Sequence, residues 1–201
     1  MSDIFIIASM NVIFLTMASI ADVNVREIYP DLLREFVRNG HKVYIVSPRE
    51  RRLGEKTGVR TEGAVTYLGV RTLNLQKTSN VEKGIGQVLV ESQFKKAIRK
   101  YLNNIEFDLI LYATPPITLQ GVVAYLKRKN PKAVSYLMLK DIFPQNAVDI
   151  GMMSKSGMKG LLYRYFRKKE KKLYEASDYI GCMSPANVKF VLEHNPEIEA
   201  S

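Results

Sequence analysis

A lysine and an aspartate stand side by side at the end of one apolar run of the sequence. Lys140 and Asp141 directly follow the run that ends at Leu139. A carboxylate in this position can orient a substrate hydroxyl or accept its proton, and an adjacent ammonium can offset negative charge nearby. The alternative is a surface ion pair that caps a strand. Asp149 is either a second acid of the same loop or a turn former, and the turn is favoured.

Hydroxyl and amide side chains follow three other apolar runs. Thr114 and Ser184 each come directly after one of them, and Ser19 and Asn24 follow the first. In parallel sheets, ligands bind beyond the carboxyl ends of the strands, where the strand order reverses. These residues are therefore candidate binding residues. Thr114, which precedes two prolines, also fits a structural turn.

Glycine-rich phosphate-binding loops are absent from the sequence. The sole paired-glycine element, Gly84-Ile85-Gly86, does not follow an apolar run, and Leu89 occupies the position of the third glycine in a dinucleotide-binding fingerprint. The sequence has one cysteine, Cys182, and two histidines, so neither a disulfide framework nor a structural zinc site is expected. We predict that this chain binds no metal and no cofactor of its own.

The candidate residues lie in a chain that alternates between β-rich and amphipathic runs, a pattern typical of a parallel α/β sheet. Its 201 residues suffice for one domain with one core. We predict a Rossmann-like three-layer fold with helices on both faces of a parallel sheet, spanning 10–201 after an extension at 1–9. Strands are predicted at 12–15, 42–46, 65–68, 70–75, 108–112, 133–139 and 178–183. Helices are predicted at 25–38, 82–103, after the two prolines to 128, 158–176 and 185–194, with loops over 49–63 and 140–151.

An uncharged stretch near the amino terminus allows three interpretations. Residues 4–21 contain no charged side chain, and this length is close to that of a membrane span. A secretory signal is the second possibility, but no lysine or arginine precedes the stretch, as such a signal requires. The third is a buried parallel strand. We predict the strand, because the alternating pattern that follows needs a first strand there.

One segment carries most of the net charge of +10. Between Lys155 and Lys172 there are eight basic residues and one glutamate. On a helical wheel, seven residues share an apolar arc that is predicted to pack on the sheet: Met158, Leu161, Leu162, Tyr165, Phe166, Leu173 and Ala176. The other side is either a solvated face or a surface for anionic lipid, and it carries Arg164, Arg167, Lys168 and Lys171. Nucleic acid is not favoured as a partner, because no recognition helix or RNA-binding motif accompanies the charge.

Three stretches of the sequence resemble a known enzyme family. Residues 28–43 resemble the first helix and the following strand of family 4 glycosyltransferases, and residues 178–184 resemble the strand and serine before the last helix of their amino-terminal domain. Residues 140–151, which begin Lys-Asp-Ile-Phe-Pro-Gln-Asn, are more specific. They are similar to the bacterial transferases that build O-antigen and capsular polysaccharide, including fucosamine transferases. The resemblance covers about residues 10–195.

The resemblance implies a fold, a reaction and a partial enzyme. Family members have the GT-B fold, in which two Rossmann-like domains face each other across a cleft. The amino-terminal domain binds the acceptor, here expected to be a lipid-linked saccharide at the inner face of the cytoplasmic membrane. The carboxyl-terminal domain binds a nucleotide-diphosphate sugar, and sugar transfer proceeds with retention and without a metal. We therefore expect a cytoplasmic, peripheral, acceptor-side half that lacks the donor domain and is inactive alone.

The resemblance also implies roles for individual residues. Asp141 matches the aspartate of a His-Asp pair in many members and would contact the acceptor hydroxyl, while Lys140 stands in place of the histidine. Four more side chains would line the cleft or close it near the diphosphate: Thr114, Ser184, Ser19 and Asn24. The alternative function is a non-catalytic, membrane-docked binding subunit of a two-chain transferase. A third is a nucleotide-dependent oxidoreductase or methyltransferase.

Overall fold

Alternating strands and helices make up the part of the chain that the computed structural model describes, residues 8–114 and 117–199. The strands are β1 (Asn11–Leu15), β2 (Lys42–Glu50), β3 (Gly58–Glu62), β4 (Val65–Thr72), β5 (Leu109–Ala113), β6 (Val134–Leu139) and β7 (Tyr179–Cys182). The helices are α1 (Ile28–Arg38), α2 (Asn80–Tyr101), α3 (Gln120–Lys129), α4 (Gln145–Asp149), α5 (Gly157–Glu175) and α6 (Pro185–His194). Short 3₁₀ turns lie at Arg51–Leu53 and Ile117–Leu119.

All seven strands belong to one sheet, in the order β3-β4-β2-β1-β5-β6-β7. The pairs from β4 across to β7 are parallel, and only the edge strand β3 runs antiparallel to its neighbour. β1 lies in the centre, where Val12 is opposite Val43 of β2 on one side and Leu109 of β5 on the other. The predicted Rossmann-like sheet is confirmed.

The helices cover the sheet on both faces because the side chains of the central strand alternate between them. Phe14 of β1 packs in one apolar cluster with Leu33 of α1. Ile13, the preceding residue, packs in a second cluster with Phe94 of α2 and with side chains of α3 and α5. Three layers result, as the sequence predicted.

The uncharged amino-terminal stretch contains the central strand. Val12, Ile13, Phe14 and Leu15 are fully buried, so the strand interpretation is confirmed for this part of the stretch. Among the residues that the structure describes, no helix is long and apolar enough to cross a membrane. Residues 1–7 of the predicted extension lie outside the described residues, and the boundary at residue 9 stays a prediction.

Three local expectations were wrong. The predicted loop over 49–63 contains the end of β2 and all of β3. Most β3 side chains are exposed, so the strand has no apolar periodicity, and its pairing with β4 holds it in place. β2 passes through Pro48 because, beyond Val46, it pairs only with β4, and an edge tolerates proline. The two short strands predicted within 65–75 are one strand, β4, and the loop over 140–151 contains α4.

A buried polar cluster joins α5 to the end of α6. The Glu170 carboxylate is 2% exposed, and it accepts hydrogen bonds from Arg167 Nη1 at 2.6 Å and from the Tyr174 hydroxyl at 2.7 Å. Arg167 Nη2 also donates to the His194 carbonyl and to Asn195 Oδ1, both at 2.7 Å. Burial raises the pKa of Glu170, and the hydrogen bonds and the charge of Arg167 only partly oppose it.

This raised pKa predicts a pH dependence of stability. Above the ordinary glutamate pKa of 4.5, the folded chain retains a proton on Glu170 that the unfolded chain releases. The free energy of unfolding should therefore fall as the pH rises from 4.5 towards the raised pKa of the folded state. Glu170→Gln should remove this component of the fall, measured by urea unfolding across that range. Glu175→Gln, an exposed position on the same helix, is the control, and identical slopes for all three proteins would contradict the prediction.

Candidate functional site

The strand order reverses between β1 and β5, and their carboxyl ends define a crevice. After β1 the chain passes through α1 to β2 on one side, whereas after β5 it passes through α3 to β6 on the other. The two loops therefore diverge, which is the arrangement in which open α/β sheets bind ligands. Thr114 begins the loop after β5, and Lys140 and Asp141 follow the neighbouring strand β6. Pro115 and Pro116 lie outside the described residues.

Thr114 ties the ends of β5 and β6 together. Its side chain is 1% exposed. Its hydroxyl accepts a hydrogen bond from the Lys140 backbone N–H at 3.2 Å and donates to the Asp141 carbonyl at 3.5 Å. The hydroxyl is therefore bonded to the backbone and is not presented to the crevice, so Thr114 positions the Lys140–Asp141 pair. The sequence placed Thr114 at the correct edge but did not show this orientation.

The Lys140 side chain reaches across the end of β5 to the first turn of α1. Its ammonium lies 4.4 Å from the ring centroid of Tyr29, and the Tyr29 ring packs against Phe14 of β1 with centroids 5.1 Å apart. Asp141 is exposed at the rim. Within the described residues, the Lys140 ammonium and the Asp141 carboxylate form no ion pair with each other. The alternative of a simple capping ion pair does not describe their geometry.

An arginine that the sequence analysis missed holds the loop after β1. Arg49, in the extension of β2, donates from Nη1 to the Ser19 hydroxyl at 2.9 Å and from Nη2 to the Ile20 carbonyl at 3.4 Å. Its Nε lies 3.1 Å from Glu55 Oε2, and its side chain is mostly buried. The expectation of a loop from residue 49 concealed it. The available signal was an arginine two residues after Ser47, at the carboxyl end of a strand.

The other two predicted binding residues bond within their own loops. Asn24, which is exposed, donates from its backbone N–H and its side-chain amide to Asp22 Oδ1 at 2.8 and 2.9 Å. Ser184 caps α6, where its hydroxyl accepts the Asn187 N–H at 3.2 Å. Ser184 follows β7, three strands from β1, which is about 14 Å along the sheet. The structure thus joins Thr114, Lys140 and Asp141 directly, but not Asn24 or Ser184.

The predicted packing of the apolar arc of α5 on the sheet was wrong for its amino-terminal half. Leu161 is 62% exposed, and Leu162 and Tyr165 are also exposed. The helix buries Leu173 and Tyr174 near its other end instead. α5 also contacts α3 and the 3₁₀ turn at Ile117–Leu119, and Leu173 and Tyr174 join the core cluster on that face of the sheet. An apolar ridge therefore remains exposed.

The predicted basic face of α5 is smaller than the helical wheel indicated. Arg167 does not belong to it, because its guanidinium turns inward to the buried Glu170 carboxylate. Lys171 is half-exposed and lies 3.4 Å from the Glu197 carboxylate. Arg164 and Lys168 are exposed and form no ion pair within the described residues. We define the α5 surface as Leu161, Leu162, Arg164, Tyr165 and Lys168.

The layers, the sheet order and the crevice define a Rossmann-like domain of the kind found in GT-B glycosyltransferases. The structure is similar to an α,α-trehalose-phosphate synthase (UDP-forming) from Burkholderia vietnamiensis, with a TM-score of 0.57 and 14% identity over 93% of this chain and 43% of that chain. For an α,α-trehalose 6-phosphate synthase from Burkholderia multivorans, the TM-score is 0.57 and the identity 16%, over 97% of this chain and 45% of that one. For the E. coli trehalose-6-phosphate structure bound with UDP-2-fluoro glucose, the TM-score is 0.60 and the identity 10%, over 94% of this chain and 44% of that one.

These similarities show the fold. This chain spans less than half the length of each of those proteins. No protein-family model matches the sequence, and no curated protein sequence matches it. Among the described residues, no group of three or more histidine, cysteine, aspartate and glutamate side chains is placed to hold a metal ion.

The Thr114 hydroxyl provides a test of how the Lys140–Asp141 pair is held. Thr114→Val keeps the shape of the side chain but leaves the Lys140 N–H without its acceptor. We expect the free energy of unfolding, measured by urea denaturation, to fall by about 1–3 kcal/mol. Thr114→Ser keeps the hydroxyl, so its free energy of unfolding should fall by only about 0.8 kcal/mol, for the lost methyl group. A larger loss in Thr114→Ser than in Thr114→Val would contradict this role.

Proposed function

We propose that this chain is the acceptor-binding domain of a retaining, nucleotide-sugar-dependent glycosyltransferase of family 4, which transfers a hexosyl or aminosugar residue in the synthesis of bacterial O-antigen or capsule. One observation carries the proposal: the switch-point edge of a GT-B-type sheet presents Asp141 exposed beside Lys140, both held from behind by Thr114. The residue pattern of 140–151 supports the subgroup. The similarity to trehalose-phosphate synthases, of which this chain spans less than half the length, supports one of the two Rossmann-like domains of such an enzyme.

In this proposal, Asp141 accepts a hydrogen bond from the acceptor hydroxyl and orients its oxygen towards the anomeric carbon of the donor sugar. The new glycosidic bond forms on the face of the sugar from which the diphosphate departs. The nucleoside diphosphate leaves with the electron pair of the broken bond and takes up the proton of the acceptor hydroxyl. Lys140, steadied by the Tyr29 ring, and Arg49 supply positive charge at the same edge, which favours the developing negative charge of the leaving group. Ser19 and Asn24 lie in the loop beside Arg49, on the diphosphate side.

The acceptor role of Asp141 is testable on this chain alone. The probe is a water-soluble, short-chain prenyl-diphosphate-linked N-acetylglucosamine, with binding measured by calorimetry. We expect Asp141→Asn to weaken binding about ten-fold, equivalent to about 1.4 kcal/mol, because the hydroxyl loses its charged acceptor. Asp149→Asn removes an exposed carboxylate at the end of α4, eight residues after Asp141, and is the matched control. Equal affinities for the parent and Asp141→Asn would remove Asp141 from the acceptor site.

We also propose that the α5 surface docks on an anionic bilayer, which would bring the crevice to a lipid-linked acceptor. Leu161 and Leu162 are apolar and exposed, and Arg164 and Lys168 flank them without ion pairs in the described part of the chain. An apolar ridge with basic flanks is the pattern of an interfacial helix, in which the apolar side chains enter the headgroup region. Ile150 and Met152, which precede α5 in the chain, are also apolar and exposed.

Vesicle flotation tests this docking. The parent should float with phosphatidylglycerol vesicles and not with neutral phosphatidylcholine vesicles. Arg164→Gln/Lys168→Gln removes about 2 kcal/mol of electrostatic attraction, which lowers partitioning roughly 30-fold, and Leu161→Ser/Leu162→Ser should also reduce it. Arg26→Gln/Arg38→Gln removes the same charge at the ends of α1 and should float like the parent. Equal flotation with neutral and anionic vesicles would contradict the electrostatic part of the proposal.

A further inference from the structure

A second basic site lies far from the crevice, between the carboxyl-terminal halves of α2 and α3. A groove of about 540 Å³ opens there, within the size range of small-molecule sites. Both helices lead from the carboxyl ends of strands to the amino-terminal ends of the next strands, so the groove lies at the edge of the sheet opposite Asp141. Five of the seven residues that line it are lysine or arginine. The lining residues are Ser92, Lys95, Lys96, Arg99, Lys100, Tyr125 and Arg128. We call it the α2–α3 groove.

Four of the five cations in the α2–α3 groove have no acidic partner within the described residues. Lys95 is the exception, because its ammonium lies 2.9 Å from Glu91 Oε1. Four cations around one open groove repel one another, and an anion between them relieves that repulsion. The charge of this groove is therefore not neutralised by the protein itself.

Two of the cations are held in place by aromatic rings. The Arg99 guanidinium carbon lies 5.0 Å from the ring centroid of Tyr125, which itself lines the groove. The Lys100 ammonium lies 5.0 Å from the ring centroid of Tyr101. Contacts of this kind restrict a long side chain without neutralising its charge. The cations are thus positioned before any ligand arrives.

The helix dipoles alone do not account for this arrangement. Basic residues in a last turn favour the carboxyl end of a helix, and the last turn of α3 carries three. Lys127 donates to the Ala133 carbonyl at 2.9 Å, and Lys129 donates to Asn103 Oδ1. Arg128, between them, lines the groove and has no acceptor within the described residues. The unpartnered cation of this turn is the one that faces the arginine of α2.

We propose that the α2–α3 groove binds a soluble oligophosphate, with two or more phosphate groups bridging Arg99 on α2 and Arg128 on α3. Arginine pairs with phosphate oxygens through two parallel N–H donors, and Lys96 and Lys100 add point charges on the α2 wall. The Tyr125 hydroxyl supplies a neutral donor. This site is independent of the proposed transfer reaction, because the ligand lies at the opposite edge of the sheet.

Calorimetric titration with inorganic tripolyphosphate at about 0.15 M ionic strength tests the site on the whole chain. We expect saturable binding at one site in the parent. Arg99→Gln/Arg128→Gln should weaken binding about ten-fold or more, because one cation is lost from each wall. Two control variants lower the net charge by the same amount elsewhere: Arg26→Gln/Arg38→Gln near α1 and Arg164→Gln/Lys168→Gln on the α5 surface. Both should bind tripolyphosphate like the parent.

Three results would overturn the proposal. The first is the absence of saturation at millimolar tripolyphosphate, and the second is an equal loss in all three double variants, which would show an effect of net charge alone. The third is a chain that does not bind tripolyphosphate but floats with phosphatidylglycerol vesicles, and that loses this flotation in Arg99→Gln/Arg128→Gln. This result would assign the cations to a membrane surface. Thermal unfolding without ligand checks the fold of each variant. Lys96→Gln/Lys100→Gln, with the same expected loss, replaces the arginine pair if that variant does not fold.

Discussion

The burial of β1 from both faces is the constraint on which the rest of the structure depends. Each of its apolar side chains from Val12 to Leu15 is fully buried, and each such burial contributes about 1.5–3 kcal/mol. Because the side chains alternate, the strand can satisfy both layers only if α1 covers one face and α2 and α3 the other. β2 and β5 then pair with its two edges, and the reversal of strand order falls at its carboxyl end. The crevice is a consequence of this central strand.

Thr114, Lys140 and Asp141 take their positions at the sheet edge from the register of β5 and β6. Ala113 lies opposite Met138, which brings Thr114 level with the backbone of Lys140. A slip of one residue would turn the side chains of a strand to the other face and separate these groups. Lys140 is tied to the core a second time, through the Tyr29 ring. Asp141 is therefore exposed on a backbone that Thr114 and the Lys140 side chain tie to the core, as binding loops on a rigid scaffold usually are.

The fold was predictable where apolar periodicity is strong, and the site only in part. β5 and β6 are continuous apolar runs, and their ends placed Thr114, Lys140 and Asp141 at the correct edge. β3 was not predictable from periodicity, because its exposed side chains carry none and its pairing depends on β4. Pro48 led us to end β2 too early, so the extension that contains Arg49 was missed. Proline usually ends a strand, and it is tolerated here because one edge of β2 is unpaired beyond Val46.

The direction of a side chain was the least predictable property. Arg164 and Arg167 lie three residues apart on α5, and a helical wheel placed both on the basic face. The difference between them arises outside the helix, because Arg167 donates hydrogen bonds to the His194 carbonyl and Asn195 Oδ1 at the end of α6, in addition to its bond with Glu170. The Thr114 hydroxyl is a similar case, since its acceptor and donor belong to the neighbouring strand end. Both orientations depend on elements distant in sequence.

The strand order decides which helices, and therefore which charged surfaces, share a face of the sheet. The connections through α2, α3 and α5 all step in one direction along the sheet, and right-handed crossovers place them on one face, with α1 on the other. Arginines on α1 have acidic partners, as in the pairs Arg34–Asp31 and Arg38–Glu35. The other face carries paired cations such as Lys95 and Arg167, but also cations without an acidic partner in the described part of the chain, among them Arg99, Arg128, Arg164 and Lys168. The α5 surface lies towards the carboxyl edge of that face, and the α2–α3 groove lies at its amino edge. Each of the two proposed anion sites therefore rests on its own set of cations, and neither proposal depends on the other.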